Sequence, residues 1–116
     1  MRWLFVAAAL VLASCAAGPE PVGDAAELDA LAADGRDIAE AQCAACHAVG
    51  PYGESPNPQA PVFRTILTRY NPNVLEEELI AGIRVSHPMP EFQFNPQSTD
   101  ALIQYLRSIQ ESPAAQ

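Results

Sequence analysis

The sequence predicts an all-α domain of three to five short helices over residues 34–112. In several segments apolar residues recur three and four apart, the pattern of a helix face turned toward a core. No segment alternates apolar and polar residues in the manner of a half-buried strand. The chain is also short, 116 residues with 49% apolar and 17% charged, which fits one small domain and excludes a multidomain enzyme. Eleven prolines against six glycines, without low-complexity repeats, point to stiffened loops rather than disorder.

The first segment reads as an address. Arg2 precedes an unbroken apolar run from Trp3 to Ala13, followed by Ser14, Cys15, Ala16 and Ala17, the layout of a secretory signal peptide over residues 1–14. The run is shorter than the roughly 17 to 25 residues that span a bilayer. Leu12-Ala13-Ser14-Cys15 resembles the bacterial lipobox, which implies that Cys15 becomes the first mature residue and carries acyl chains. Several such chains hold a protein on a membrane where one binds only marginally. Cleavage after Ala16 or Ala17, which discards Cys15, is the alternative, and both imply export. Residues 15–33, rich in Ala, Gly, Pro, Asp and Glu, read as a lipid-anchored N-terminus and flexible linker with one helical turn around Ala25–Leu31. Residues 113–116 read as a tail.

The helices follow in order. Asp34 to Cys43 suits a helix, with Asp34 as N-cap, Asp37 and Glu40 near the positive end of the dipole, and Ile38 with Ala41 or Gln42 facing inward. Val62, Phe63, Ile66, Leu67 and Tyr70 keep helical spacing after Pro61, which a first turn tolerates. Asn71 or Asn73 caps a helix from Val74 to Ala81 that Gly82 stops. The last helix follows Ser98, with a stripe of Leu102, Ile103, Tyr105, Leu106 and Ile109, and Arg107 near its end.

Between the first two of these helices stands Cys43-Ala44-Ala45-Cys46-His47, the C-x-x-C-H motif of c-type haem attachment. Residues three apart on a helical turn project from nearly the same side, so both thiols can reach the vinyl groups of one porphyrin while the adjacent imidazole turns to the iron. A thioredoxin-like pair needs a strand before the first cysteine, where this chain reads as helix. A zinc site needs four ligands, with only distant His87 left to complete it. A plain disulfide leaves His47 unexplained. A porphyrin also supplies core to a domain too small to bury much apolar surface. A second axial ligand is drawn from His, Met, Cys or Tyr, and after the leader the chain offers Met89 and His87. Pro88 and Pro90 stiffen the loop around Met89 and reduce the ordering cost by roughly 0.4 to 1 kcal/mol per well-placed proline. His87, two residues away, can share a side with Met89 in an extended segment, and the spacing alone leaves both open.

From Asp34 to Glu111 the chain resembles a class I monohaem cytochrome c of the small bacterial type. Gly35-x-x-Ile38 ahead of the cysteine motif is similar to the family's N-terminal helix, whose glycine admits a close crossing, and Leu102–Arg107 to its C-terminal partner. The resemblance implies the cytochrome c fold, with short helices wrapped around one covalently bound haem c on Cys43 and Cys46. It carries over His47 and Met89 as the axial metal ligands. It also implies a proline carbonyl on the other imidazole nitrogen, for which Ala60-Pro61-Val62-Phe63 fits best and Pro51 second.

The function expected is that of a one-electron carrier, not an enzyme, because two protein ligands leave no iron position for a substrate and methionine raises the potential. Its place is the periplasmic side of a bacterial membrane, lipid-anchored at Cys15. Alternatives are a haem subunit permanently docked in a larger oxidoreductase, or a gas-sensing or peroxidase-like protein with a displaceable Met89. Six arginines, no lysine and fourteen acids give a net charge of −8, so nucleic acid is excluded for want of a basic face. The lysine ring of mitochondrial-type relatives is missing. The expected partners are redox proteins with basic or neutral docking surfaces, met by a monomer through salt-sensitive encounters. Arg64, Arg69 and Arg84 are candidates for haem propionates or for solvated salt bridges.

Overall fold

Alanine, the best helix former, recurs through residues 22–42, and these residues form one continuous helix, α1 (Val22–Gln42). The computed structural model describes residues 22–84 and 89–111; the expected leader over residues 1–14, Cys15, His87 and residues 113–116 lie outside the described residues. α1 starts earlier than the sequence reading placed it. Asp34 therefore lies within the helix rather than at a cap, and residues 22–33 are helical where a linker with a single turn was expected. Propagating a helix costs little once a neighbouring stretch has nucleated it, so Ala25 to Ala33 extend α1 although most of them are exposed.

The segment after Pro61 keeps its helical spacing but is a 3₁₀ helix, Phe63–Thr68, rather than an α-helix. Thr65, Ile66 and Thr68 are β-branched, and the Thr68 hydroxyl donates to the Thr65 carbonyl at 2.7 Å, which favours a short tight turn. α2 (Pro72–Ala81) opens at Asn71, whose side chain accepts the Asn73 N–H at 2.9 Å, and ends at Gly82, whose φ of 97° a side chain would resist. α3 (Pro96–Ser108) opens in the same way at Asn95, which accepts the Ser98 N–H at 2.9 Å. It starts earlier than the expected position after Ser98, with Pro96 in its first turn. No strand occurs among the described residues, and the fold is all-α.

α1 and α3 pack directly on one another, so the two ends of the domain make its central contact. Small residues permit it. A Cβ placed on Gly35 would lie 1.9 Å from the Ala101 carbonyl oxygen, and Ala39 is wholly buried one turn later. Around this contact Leu75 and Leu79 of α2, Phe63 and Ile66 of the 3₁₀ helix, and Leu102, Ile103 and Leu106 of α3 complete the core. Each buried side chain of this size contributes about 1.5–3 kcal/mol relative to exposure. The phenol of Tyr105 crosses this core and donates to the Val49 carbonyl at 2.8 Å, fastening α3 to the loop after the cysteines.

Candidate functional site

α1 ends in a turn that carries the cysteines. The Cys43 N–H still bonds to Ala39 at 2.9 Å, and the Cys46 and His47 N–H groups both bond back to the Cys43 carbonyl, at 3.1 and 2.9 Å. One helical turn thus holds both sulfurs and the imidazole. Cys43 is buried and Cys46 half-buried, and no disulfide joins them. Burial pushes the Cys43 thiol up to about 11, which keeps it protonated at neutral pH.

His47 is buried, and its Nδ1 lies 2.7 Å from the Pro61 carbonyl oxygen. A carbonyl only accepts, so Nδ1 carries the proton and donates, while Nε2 keeps the lone pair that a metal requires. Such a bond fixes the tautomer and raises the basicity of a ligating imidazole. The Phe63 ring packs against the imidazole with centroids 5.1 Å apart at 47°. The intervening loop is closed by Asn57 N–H on the Cys46 carbonyl (3.1 Å), Ala48 N–H on Ser55 Oγ (3.0 Å) and Phe63 N–H on the Ala48 carbonyl (3.0 Å).

Cys43, His47 and Met89 border an apolar cavity whose walls are Ile66, Leu75, Leu79, Phe94, Leu102 and Leu106. The same three residues also border an adjoining hollow, which Cys46, Pro90 and Phe92 complete. Cofactor sites are concave and mostly apolar, with few polar groups that fix orientation. The Met89 segment is tied to the core by the Phe94 N–H, which bonds the Leu79 carbonyl at 3.2 Å. An apolar slot flanked by two thiols, an imidazole in the metal-binding tautomer and a thioether suits a covalently held porphyrin by donor chemistry.

Cys43, Cys46, His47, Pro61 and Met89 therefore come together, and Pro61 rather than exposed Pro51 supplies the carbonyl. Cys15 and His87 lie outside the described residues. The arginines are elsewhere: Arg64 donates to the Gly53 carbonyl (2.6 Å) and pairs with Glu111 (3.0 Å), while Arg69 and Arg84 are exposed. None of the three lines the cavity. Among the described residues no group of three His, Cys, Asp or Glu gathers as a separate metal site, and no helix is long and apolar enough to cross a membrane. Two site residues escaped sequence reasoning. Phe63 was visible as part of an apolar stripe and of the Pro61 segment but not as a neighbour of His47, and Gln110, which bonds the Phe63 carbonyl, gave no local signal because its partners Phe63 and Leu67 are distant in the chain.

The sequence model of the cytochrome c family matches residues 32–110. The chain belongs to the cytochrome c family. No curated protein and no solved structure matches it in the corresponding searches. The cytochrome is thus a c-type haem-binding electron-transfer protein rather than an enzyme, with the all-α fold of its family. Its Cys43, Cys46 and His47 are consistent with the haem attachment site.

Proposed function

We propose that this cytochrome is an exported one-electron carrier of the class I monohaem, small bacterial type, with a single haem c bound to Cys43 and Cys46 and ligated by His47 and Met89. The observation that supports this most is the convergence of Cys43, His47 and Met89 on one apolar cavity. The haem, when bound, supplies the reversible Fe(II)/Fe(III) couple. The chain's own residues do the rest. Pro61 orients His47 through Nδ1–H, the leucines and Phe94 keep water from the slot, and Pro90 stiffens the approach of the Met89 sulfur. With His47 and Met89 both holding the haem, the site would favour electron transfer over binding of gases or peroxide.

Export rests on the leader over residues 1–14, and the anchor on Cys15 in its lipobox-like setting. The cytochrome works at the periplasmic side of a bacterial membrane, as a monomer. Its formal charge of −8 and lack of lysine steer it to redox partners with basic or neutral docking surfaces. The intact mass of the mature protein tests covalent haem and acylation together. The ferric protein is expected to show the weak far-red sulfur-to-iron band, and Met89→Ala to remove it. Ready binding of carbon monoxide to the native ferrous form refutes the carrier reading.

A further inference from the structure

Gln110 follows the end of α3, and its side-chain amide makes three hydrogen bonds to backbone. Nε2 donates to the carbonyls of Phe63 and Leu106, each at 2.8 Å, and Oε1 accepts the Leu67 N–H at 3.1 Å. Chemistry fixes this orientation, because a flipped amide would set carbonyl against carbonyl and N–H against N–H. Phe63 is thereby gripped at both backbone groups, its N–H by the Ala48 carbonyl at 3.0 Å and its carbonyl by Gln110. The gripped residue is the one whose ring packs on His47, and Pro61, which accepts His47 Nδ1–H, precedes it by two positions.

We propose that Gln110 is a positioning residue for the His47 imidazole. By anchoring residues 61–63 to the end of α3, it holds both the carbonyl and the ring that set the orientation and donor strength of His47. The proposal rests on His47 being an axial ligand. A strong bond from Nδ1–H makes the imidazole a better electron donor and favours the oxidised metal. Loosening it favours the reduced form.

The test uses the full haem-loaded protein and its Gln110→Ala, Gln110→Met and Glu111→Gln variants. Glu111→Gln breaks the Arg64 ion pair at the same end of the chain without touching residues 61–63. The two Gln110 variants are expected to raise the reduced-to-oxidised ratio at fixed ambient potential about threefold, roughly 28 mV at 59 mV per tenfold for one electron. They also speed solvent exchange of the His47 ring N–H, read by NMR, while Glu111→Gln leaves both quantities at native values. If the Gln110 variants melt earlier yet keep the native potential and ring N–H exchange, Gln110 is a structural clasp only and the proposal is overturned. An equal shift from Glu111→Gln overturns it too, since general loosening of the chain end then accounts for the effect. Gln110→Met keeps the side-chain length without adding charge and loses the amide's bonds, so it carries the measurement if the alanine variant does not fold. A native protein in which the His47 ring shows no iron-shifted resonances instead overturns the axial assignment on which the proposal stands.

Discussion

Replacing Gly35 by alanine adds one methyl group at the tightest point between α1 and α3. The added carbon falls 1.9 Å from the Ala101 carbonyl oxygen, 2.5 Å from its carbonyl carbon and 2.8 Å from Tyr105 Cβ, where ordinary contact begins at 3.4 Å. α1 must therefore retreat by about 1.5 Å, the difference between 3.4 and 1.9 Å. The obstacle is the backbone of a buried helix, which cannot rotate aside as a flexible side chain would. Overpacking costs about 1–3 kcal/mol, and its upper end applies here; alanine's better helix propensity returns about 1 kcal/mol. The net loss is about 2 kcal/mol. At roughly 4–8 °C per kcal/mol for a domain of this size, the melting temperature should fall by about 8–16 °C. Circular dichroism melts of the haem-loaded protein check this, with Ala41→Gly on the exposed side of α1 reporting the propensity contribution alone. A Gly35→Ala protein that melts at or above the native temperature refutes the close crossing.

Asn95→Ala removes the cap that accepts the Ser98 N–H and should cost about 1 kcal/mol, seen as a lower urea midpoint at unchanged slope. Tyr105→Phe leaves the Val49 carbonyl without its phenol donor and should cost about 1–3 kcal/mol in the same assay at neutral pH. Burial, the largest cause, raises the Tyr105 phenol above its ordinary 10.0. A pKa raised by folding gives stability that is complete below the unfolded value and is lost as pH climbs through the folded one. Native stability should therefore fall above pH 10 more steeply than that of Tyr105→Phe, and denaturation across about pH 8 to 11 measures the difference.

What the sequence disclosed depended on how local each signal was. The capping role of Asn71 and the stripe of α3 were legible because a cap and a period act within a few residues. The start of α1 was not, since residues 22–33 bury little and no stop signal separates them from the helix that follows. The 3₁₀ geometry of Phe63–Thr68 was hidden because apolar spacing alone does not distinguish it from an α-helix turn. In the site, Cys43, Cys46 and His47 announce themselves by spacing. The bond from His47 to Pro61 joins residues 14 apart, and those of Gln110 to Phe63 and Leu67 join residues 47 and 43 apart. Contacts at such separations exist only once the fold has closed, so residue type and spacing carry no trace of Gln110, and only family resemblance pointed to Pro61.

The pairing of α1 with α3 also sets an order of events for the newborn chain. α1 leads directly into the cysteine turn, yet its inner face at Gly35 and Ala39 is covered only when Ala101 and its neighbours arrive. Synthesis delivers those residues last, and contacts between distant parts of a chain form late for the same entropic reason. During that interval the cavity beside Cys43 and His47 lacks the wall that Leu102 and Leu106 supply. A chain ending before residue 96 would leave the Gly35–Ala39 face of α1 bare, because α3 is the element that covers it.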